Sequence, residues 1–254
     1  SVPIYRTNLG DVSLSMYTYA LESLGHAFVP GARDALVLGL GAGIMPGNLK
    51  RHGMDVSVVE INPRALTAAK EHFGFDADAI AVHLEDARTF VRRCENSFDV
   101  AFVDLFQGDN TPDYLMTREF FLDLRRCLRP GGAMVMNAFL DGRNKEPNRS
   151  FFATVLTAFP GVFLFGAPGS NSFIVGFLGE APEMVAAETA KIPVPMAAIV
   201  EGALSIQRRI RPEYYAGVEP VSDEKNIFGL LFSDANMEIR KFMAGSLPPF
   251  LLVN

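Results

Sequence analysis

Glycine and acidic residues occupy positions where a chain could hold a nucleoside. Gly39, Gly41 and Gly43 end the apolar run that begins at Ala35, and glycine lets a backbone turn sharply and approach a ligand closely. Glu60 ends the next apolar run, where an acid accepts hydrogen bonds from both hydroxyls of a ribose. The alternative interpretation is that the glycines form a purely structural tight turn and that the acid lies on the surface without a ligand. The pair of features favours a nucleoside-type cofactor.

Two further acids follow later apolar runs. Asp86 stands where a carboxylate could accept a hydrogen bond from an adenine amino group, although it could also cap the next helix. Asp104 ends the run Phe98–Asp104. Because an acid is costly to bury without a partner, Asp104 predicts a cationic ligand such as a sulfonium or an amine. Asp99, near the start of that run, is interpreted as a turn acid.

Alternating strands and helices must position these residues. The predicted strands are apolar throughout, which indicates burial on both faces of a parallel sheet. They are Ala35–Leu40, Val56–Glu60, Ala79–His83, Val100–Asp104, Ala133–Ala138, Gly161–Phe165 and Ser172–Leu178. The last two are joined by a hairpin signal, so the seventh strand is expected to be antiparallel. The fold class is therefore α/β, with a doubly wound, mostly parallel seven-stranded sheet of the class I methyltransferase type.

The remaining segments divide the chain into three expected parts. Residues 1–30 should form a short hairpin (Ile4–Met16) and a helix (Tyr17–Phe28), and residues 31–180 the nucleoside-binding domain. Residues 181–254 should form a helical extension that covers the sheet or forms an oligomer surface, as in a homodimer. Its expected helices are Ala181–Ala190, Met196–Arg209 and Glu224–Met243.

Composition excludes several classes of protein. A net charge of −6 over 254 residues argues against a non-specific nucleic-acid binder. No apolar run reaches the roughly 18 residues that span a bilayer, and no signal peptide is visible. Cys94 and Cys127 are expected to be packing residues in a reducing, cytoplasmic compartment. The start at Ser1 rather than Met suggests a piece of a longer protein.

Neither the four histidines of the chain nor three arginines of one predicted helix indicate a functional site. No metal site is expected, because the four histidines lack the spacing of metal ligands; they are His26, His52, His72 and His83. Arg88, Arg92 and Arg93 are expected on an exposed helix face.

Several segments together resemble the spermidine synthase family, the polyamine aminopropyltransferases. They are Glu22-x-Leu24-x-His26, Leu36–Gly43, Val59–Pro63, Glu85–Arg88, Phe98–Asp104 and Leu115–Gly132. The resemblance covers roughly residues 12–180. The tail segments Asp223–Asn226 and Leu247–Leu252 also look similar to relatives that are fused to a membrane domain.

The resemblance implies a ligand and a set of site residues. The ligand would be S-adenosylmethionine (AdoMet) or its decarboxylated form, with methylthioadenosine as product and a small amine or other nucleophile as acceptor. Cofactor binding would fall to Gly39, Gly41, Gly43, Glu60, Ile61, Asp86, Ala87 and Asp104. Catalysis would involve Asp104, Gln107, Asp109 and Tyr114.

The chain departs from the family on the acceptor side. Ala42 stands where the family's glycine loop usually has an aspartate, and Gln107 stands where a second acid follows Asp104. The family's Tyr-His-Glu is matched only at Glu22. Three hypotheses therefore stay open: an aminopropyltransferase-like enzyme, a methyltransferase on the same scaffold, or a nucleoside-binding domain of a membrane-fused protein that has lost its chemistry.

Overall fold

A computed structural model describes residues 16–105, 111–140, 144–166, 171–179, 186, 188–233 and 237. Within them, eight strands form one sheet in the order β3-β2-β1-β4-β5-β7-β6-β8. The strands are β1 Asp34–Leu38, β2 Asp55–Glu60, β3 Ala81–Leu84, β4 Phe98–Val103, β5 Leu128–Phe139, β6 Gly161–Phe165, β7 Asn171–Phe177 and β8 Gln207–Arg209. Strands β1 to β5 run parallel to one another, and β7 is antiparallel to both β5 and β6. The predicted α/β sheet with an antiparallel seventh strand is confirmed.

Helices cover both faces of the sheet. They are α1 Met16–Phe28, α2 Ile44–Arg51, α3 Pro63–Phe73, α4 Ala87–Arg93, α5 Arg118–Cys127, α6 Lys145–Leu156, α7 Val194–Leu204, α8 Pro212–Tyr215 and α9 Phe228–Leu231, with a short 3₁₀ turn at Asp113–Leu115. Alternate residues of β4 face two separate apolar cores: Ala101 and Val103 pack on the α4, α5 and α6 side, and Val100 and Phe102 on the α1, α2 and α7 side. Burial on both faces explains why the strands are apolar throughout.

Local signals set several helix ends. Asn62 caps α3, with its side chain accepting from the Arg64 N–H at 3.0 Å, and Pro63 occupies the first helical position. Gly74 ends the same helix in the left-handed conformation, with φ +68°. The expected bounds of this helix, Pro63–Phe73, are therefore confirmed.

The expected C-terminal helices differ most from the structure. The predicted helix Met196–Arg209 ends at Leu204, and residues 207–209 instead form β8, an eighth strand. β8 pairs antiparallel with β6, which supplies hydrogen-bond partners to the open edge of that strand. Residues 188–190, expected in a helix, are not helical. The hairpin Ile4–Met16 lies outside the described residues, apart from Met16, which begins α1.

The fold also bears on membrane insertion and on the cysteines. Among the described residues, no helix is both long and apolar enough to cross a bilayer. Cys127 is buried at the end of α5, and Cys94 is half-buried just after α4; both are free thiols.

Candidate active site

The candidate site lies where the order of the sheet reverses. After β1 the chain continues to β2 on one side, and after β4 it continues to β5 on the other. Backbone hydrogen bonds join the ends of these strands: the Asp104 N–H donates to Leu38 O at 2.9 Å, and the Gly39 N–H donates to Val59 O at 2.9 Å. Ligands of open α/β sheets bind in the crevice at this kind of position.

In the glycine loop, residues 39–43, two glycines pack closely against other atoms and the glycine between them faces open space. Gly39 has φ +96°, and a Cβ there would overlap the carbonyl oxygen of Asp104. Gly43 has φ +74°, and a Cβ there would lie 2.5 Å from Cδ2 of Phe75. Gly41 has φ +54°, and a Cβ there would meet no atom of the described chain within 4 Å. Space for a ligand to approach the backbone is therefore at Gly41.

Glu60 is tied to this loop through its carboxylate. Oε2 accepts from the Leu40 N–H at 3.0 Å, and Oε1 accepts from the Asn62 N–H at 2.7 Å. A carboxylate has about four acceptor sites, so each oxygen keeps capacity for another donor. The half-buried side chain is thus fixed beside the loop with room to accept from two hydroxyls.

Asp86 uses its two oxygens differently. Oδ1 accepts from the Thr89 N–H at 2.9 Å and caps α4, while Oδ2 accepts from the Tyr114 hydroxyl at 2.6 Å. Burial raises the pKa of Asp86, but the hydrogen bonds from Tyr114 and Thr89 outweigh it and leave the pKa lowered. Burial and the same carboxylate raise the pKa of Tyr114 to about 12. Asp86 is therefore a helix cap whose second oxygen belongs to a phenol–carboxylate pair.

This pair changes the place expected for Tyr114. The sequence suggests that Tyr114 orients the acceptor beside Asp104, whereas its hydroxyl bonds the acid at the start of α4. Its side chain is 40% exposed, so it borders the crevice at the Asp86 end. No sequence spacing relates these two residues, because the contact depends on how the segment after β4 folds back.

Asp104 is held by two neutral groups. Its Oδ1 accepts from Asn137 Nδ2 at 3.0 Å, and the Tyr17 side chain donates a further hydrogen bond. Burial raises the pKa of Asp104, and the bonds from Asn137 and Tyr17 oppose that rise. In the described residues these three side chains form a cluster that we call the Asp104 cluster. An acid held by neutral donors can still gain from a cationic ligand.

Asn137 and Tyr17 are site residues that the sequence analysis missed. Asn137 is 5% exposed, and its Oδ1 is a buried acceptor with no partner in the described chain. Since β4 and β5 are paired at Val103 and Met136, Asp104 and Asn137 are the next residues along. The sequence offered one signal for Asn137, since it is a polar residue inside the apolar run of β5 at the level of Asp104.

Two of the other expected site residues lie at the start of α4 and beside Glu60. Ile61 is 52% exposed beside Glu60, as an apolar wall for a base would be, and Ala87 is buried at the start of α4. Gln107 and Asp109 lie outside the described residues. The roles assigned to all of these residues stay predictions.

The C-terminal segment fixes the loop that carries Tyr114. Arg88 donates to Tyr114 O at 2.7 Å and pairs with Asp223, while Asn226 Nδ2 donates to Asp113 O at 2.9 Å. Arg88 is only 8% exposed, so its expected place on an exposed helix face is wrong. An arginine needs a partner when buried, and here the tail supplies it.

The segment that forms this site is similar to that of a known protein family. The model of the spermine/spermidine synthase domain matches residues 14–161. The chain belongs to this family. The matched segment contains the glycine loop, Glu60, Asp86 and the Asp104 cluster.

Two curated relatives differ in their activity. A polyamine aminopropyltransferase from Vibrio vulnificus is 28% identical over 168 residues, which are 64% of this chain and 56% of that protein. An N-terminal histidine N-methyltransferase from Emericella nidulans is 37% identical over 109 residues, which are 41% of this chain and 19% of that protein. The chain thus spans about half the length of the first relative and less of the second.

Solved structures support the fold. A probable spermidine synthase from Corynebacterium glutamicum has a TM-score of 0.68 at 20% identity, covering 84% of this chain and 81% of that one. A spermidine synthase in complex with the transition-state analogue AdoDATO has a TM-score of 0.54 at 17% identity, covering 95% of this chain and 77% of that one. The expected class I methyltransferase architecture is confirmed.

Proposed function

We propose that the chain is a transferase that binds an adenosyl sulfonium and transfers its aminopropyl group to an amine. The donor would be decarboxylated AdoMet, and methylthioadenosine would be the product. The observation that carries the proposal is the Asp104 cluster, a half-buried acid held by neutral donors beside a glycine loop. Its geometry suits a ligand that brings its own positive charge.

The nucleoside would lie along the carboxyl ends of β1, β2 and β3. Glu60 would accept from the ribose hydroxyls through the lone pairs left free by Leu40 and Asn62. The Asp86–Tyr114 pair would meet the adenine, with Ile61 as an apolar wall. Gly41, which faces open space, would let the ligand lie close to the backbone.

The sulfonium and the acceptor amine would meet at the Asp104 cluster. In the reaction a C–N bond forms as the C–S bond breaks, the sulfur keeps the electron pair, and methylthioadenosine leaves. The attacking nitrogen needs its lone pair, and the proton that the product ammonium loses would pass to Asp104 or to solvent. Asp104 would hold the amine in line, and the free Asn137 Oδ1 would accept from an N–H of the same group.

Methyl transfer from AdoMet is the second candidate. It is favoured by the Emericella nidulans N-methyltransferase, whose 37% identity exceeds that of the Vibrio vulnificus protein over a shorter segment. Ala42 also removes the acid that the resemblance expects in the glycine loop. AdoMet carries a carboxylate that decarboxylated AdoMet lacks, and the start of α2 provides backbone N–H groups for an anion.

Product analysis separates these candidates. The purified chain is incubated with either donor and a panel of diamines, and the nucleoside product is identified by mass spectrometry. Methylthioadenosine together with an aminopropylated amine supports the proposal. S-adenosylhomocysteine would instead establish methyl transfer. Ligand binding with neither product would indicate a domain without catalysis, and Asp104→Asn serves as the inactive control.

A further inference from the structure

A cluster of metal-ligating side chains lies outside the candidate active site. Glu22 and His26 are one turn apart on α1, and His52 directly follows α2. One ligand atom from each of the three lies within 4.8 Å of the other two. Two of the four histidines that look scattered in the sequence are therefore brought to one acid by helix packing.

The cluster is buried and incompletely satisfied. Glu22 is 1% exposed and His26 is 6% exposed. The Nε2 atom of His26 has no hydrogen-bond partner in the described chain. A buried polar atom without a partner is costly whether it carries a proton or a lone pair. This histidine thus offers an unused ligand atom toward the acid.

The separation between His26 and Glu22 suits a shared ion better than a direct hydrogen bond. His26 Nε2 lies 3.9 Å from Glu22 Oε1, which is too long for a hydrogen bond. Two ligands that are each about 2.1 Å from one zinc ion can be at most about 4.2 Å apart. His52 Nδ1 contacts the same oxygen at hydrogen-bond distance. That contact would lengthen when an ion replaces the proton between the two atoms.

We propose that Glu22, His26 and His52 form a binding site for a divalent transition-metal ion of the zinc class. Two imidazoles and one carboxylate are a donor set that zinc uses in proteins, and a fourth position can be taken by water. His52 is half-buried, so solvent and an entering ion have access from its side. The site goes beyond the proposed transferase activity, because that activity gives no role to His26 or His52. Glu22, which the resemblance matches on the acceptor side, is bonded here to Asn48 and His52.

The surroundings prepare the ligands for an ion. Asn48 Nδ2 donates to Glu22 Oε2 at 3.3 Å and orients the carboxylate. An ion would bind the neutral form of both imidazoles.

A bound ion would also link two helices. It would join Glu22 and His26 of α1 to His52 at the end of α2. Tyr17 of the Asp104 cluster lies in the first turn of the same α1.

Metal titration tests the proposal. The chain, without a histidine tag, is titrated with ZnCl2 by calorimetry and with CoCl2 by absorption spectroscopy. We expect one ion per chain, a tetrahedral cobalt spectrum without a thiolate charge-transfer band, and a higher melting temperature with zinc. His52→Ala should weaken zinc binding ~10-fold or more. His72→Ala, an exposed histidine on α3, should bind like the wild type.

Other outcomes would overturn the assignment. No bound zinc, or equal affinity in His52→Ala and the wild type, contradicts the site. A thiolate band that disappears in Cys94→Ser would place the ion at the cysteines instead. Circular dichroism of each variant shows whether it is folded, and His52 is the residue replaced because it is the least buried of the three.

Discussion

The two ends of the candidate site are built in different ways. The nucleoside end, which comprises the glycine loop, Glu60 and Asp86, depends on backbone geometry within consecutive strand–helix units. The Asp104 cluster depends on three side chains that are far apart in sequence; they come from α1, from the residue directly after β4, and from β5. Contacts of the first kind can be recognised from the spacing of residues in the sequence. Contacts of the second kind form only when the sheet is assembled.

The same two ends also differ in how far their residues match those of the family. The nucleoside end has the residues that the resemblance implies, and the structure gives each a local reason for its conformation. Around Asp104, two expected acids are replaced by Ala42 and Gln107, and neutral donors hold the remaining acid. The acceptor end is therefore where we expect this chain to differ in substrate preference.

The largest effect is expected from Asp104→Asn. We expect turnover to fall by about 10²- to 10⁴-fold, the range for loss of a group that handles a proton or a charge in the transition state. Affinity for the nucleoside product should change by less than a few fold. Steady-state kinetics and calorimetry measure the two quantities.

Asp99→Asn is the matched control, because Asp99 lies near the other end of β4. It accepts from the backbone N–H groups of Arg33 and Asp34 and pairs with Arg129. We expect lower stability with turnover retained. Equal turnover losses in both variants would mean that Asp104 acts through the fold alone.

Gly39→Ala tests the packing of the glycine loop. The side chain would clash with the Asp104 backbone and adopt an unfavourable φ, so we expect a loss of ~2–4 kcal/mol in the free energy of unfolding. Gly41→Ala has the positive φ but open space, and should lose only about 1 kcal/mol. Urea denaturation measures both, and equal losses would show that the close approach is unimportant.

Glu60→Ala should weaken binding of the adenosyl ligand by ~10- to 100-fold, since two hydrogen bonds to a charged acceptor are removed. Calorimetry measures this affinity. Glu71→Ala, an exposed acid on α3, should bind normally. An unchanged affinity in Glu60→Ala would refute the ribose assignment.

Asp104 also predicts a pH dependence of stability. Its pKa is raised in the folded state by burial, so the folded chain keeps a proton that the unfolded chain has already lost. Wild-type stability should therefore fall, relative to Asp104→Asn, as the pH rises from about 4 through the folded pKa, and the difference should then level off. Urea denaturation across this pH range measures it; a difference of the opposite sign would contradict the burial of this carboxylate.

The smallest effect is expected from Tyr114→Phe. Removing one hydrogen bond to Asp86 should weaken nucleoside binding by about 3- to 10-fold, with turnover at saturation nearly unchanged. Tyr215→Phe, on α8, should have no effect. A large loss of turnover at saturation would return Tyr114 to the acceptor role expected from the sequence.

Much of the architecture could be predicted because its signals are local. Apolar runs, the Asn62 cap and the glycines marked the strands and turns of the sheet up to β7. The strand β8 was missed because a polar segment, Gln207–Arg209, gives no periodic signal and pairs only because the edge of β6 is available. Tyr17 and Asn137 were missed for the related reason that their importance depends on tertiary contact. A homodimer, a membrane attachment and a cytoplasmic location stay predictions from sequence.

Calorimetric titration of the chain with four adenosine-containing ligands tests the central claim most directly. The ligands are decarboxylated AdoMet, AdoMet, methylthioadenosine and NAD. We predict one binding site, clear affinity for the adenosyl ligands and the tightest binding for decarboxylated AdoMet. Binding of NAD alone, or of none of the four, would contradict an adenosyl-sulfonium site at the ends of β1 and β4.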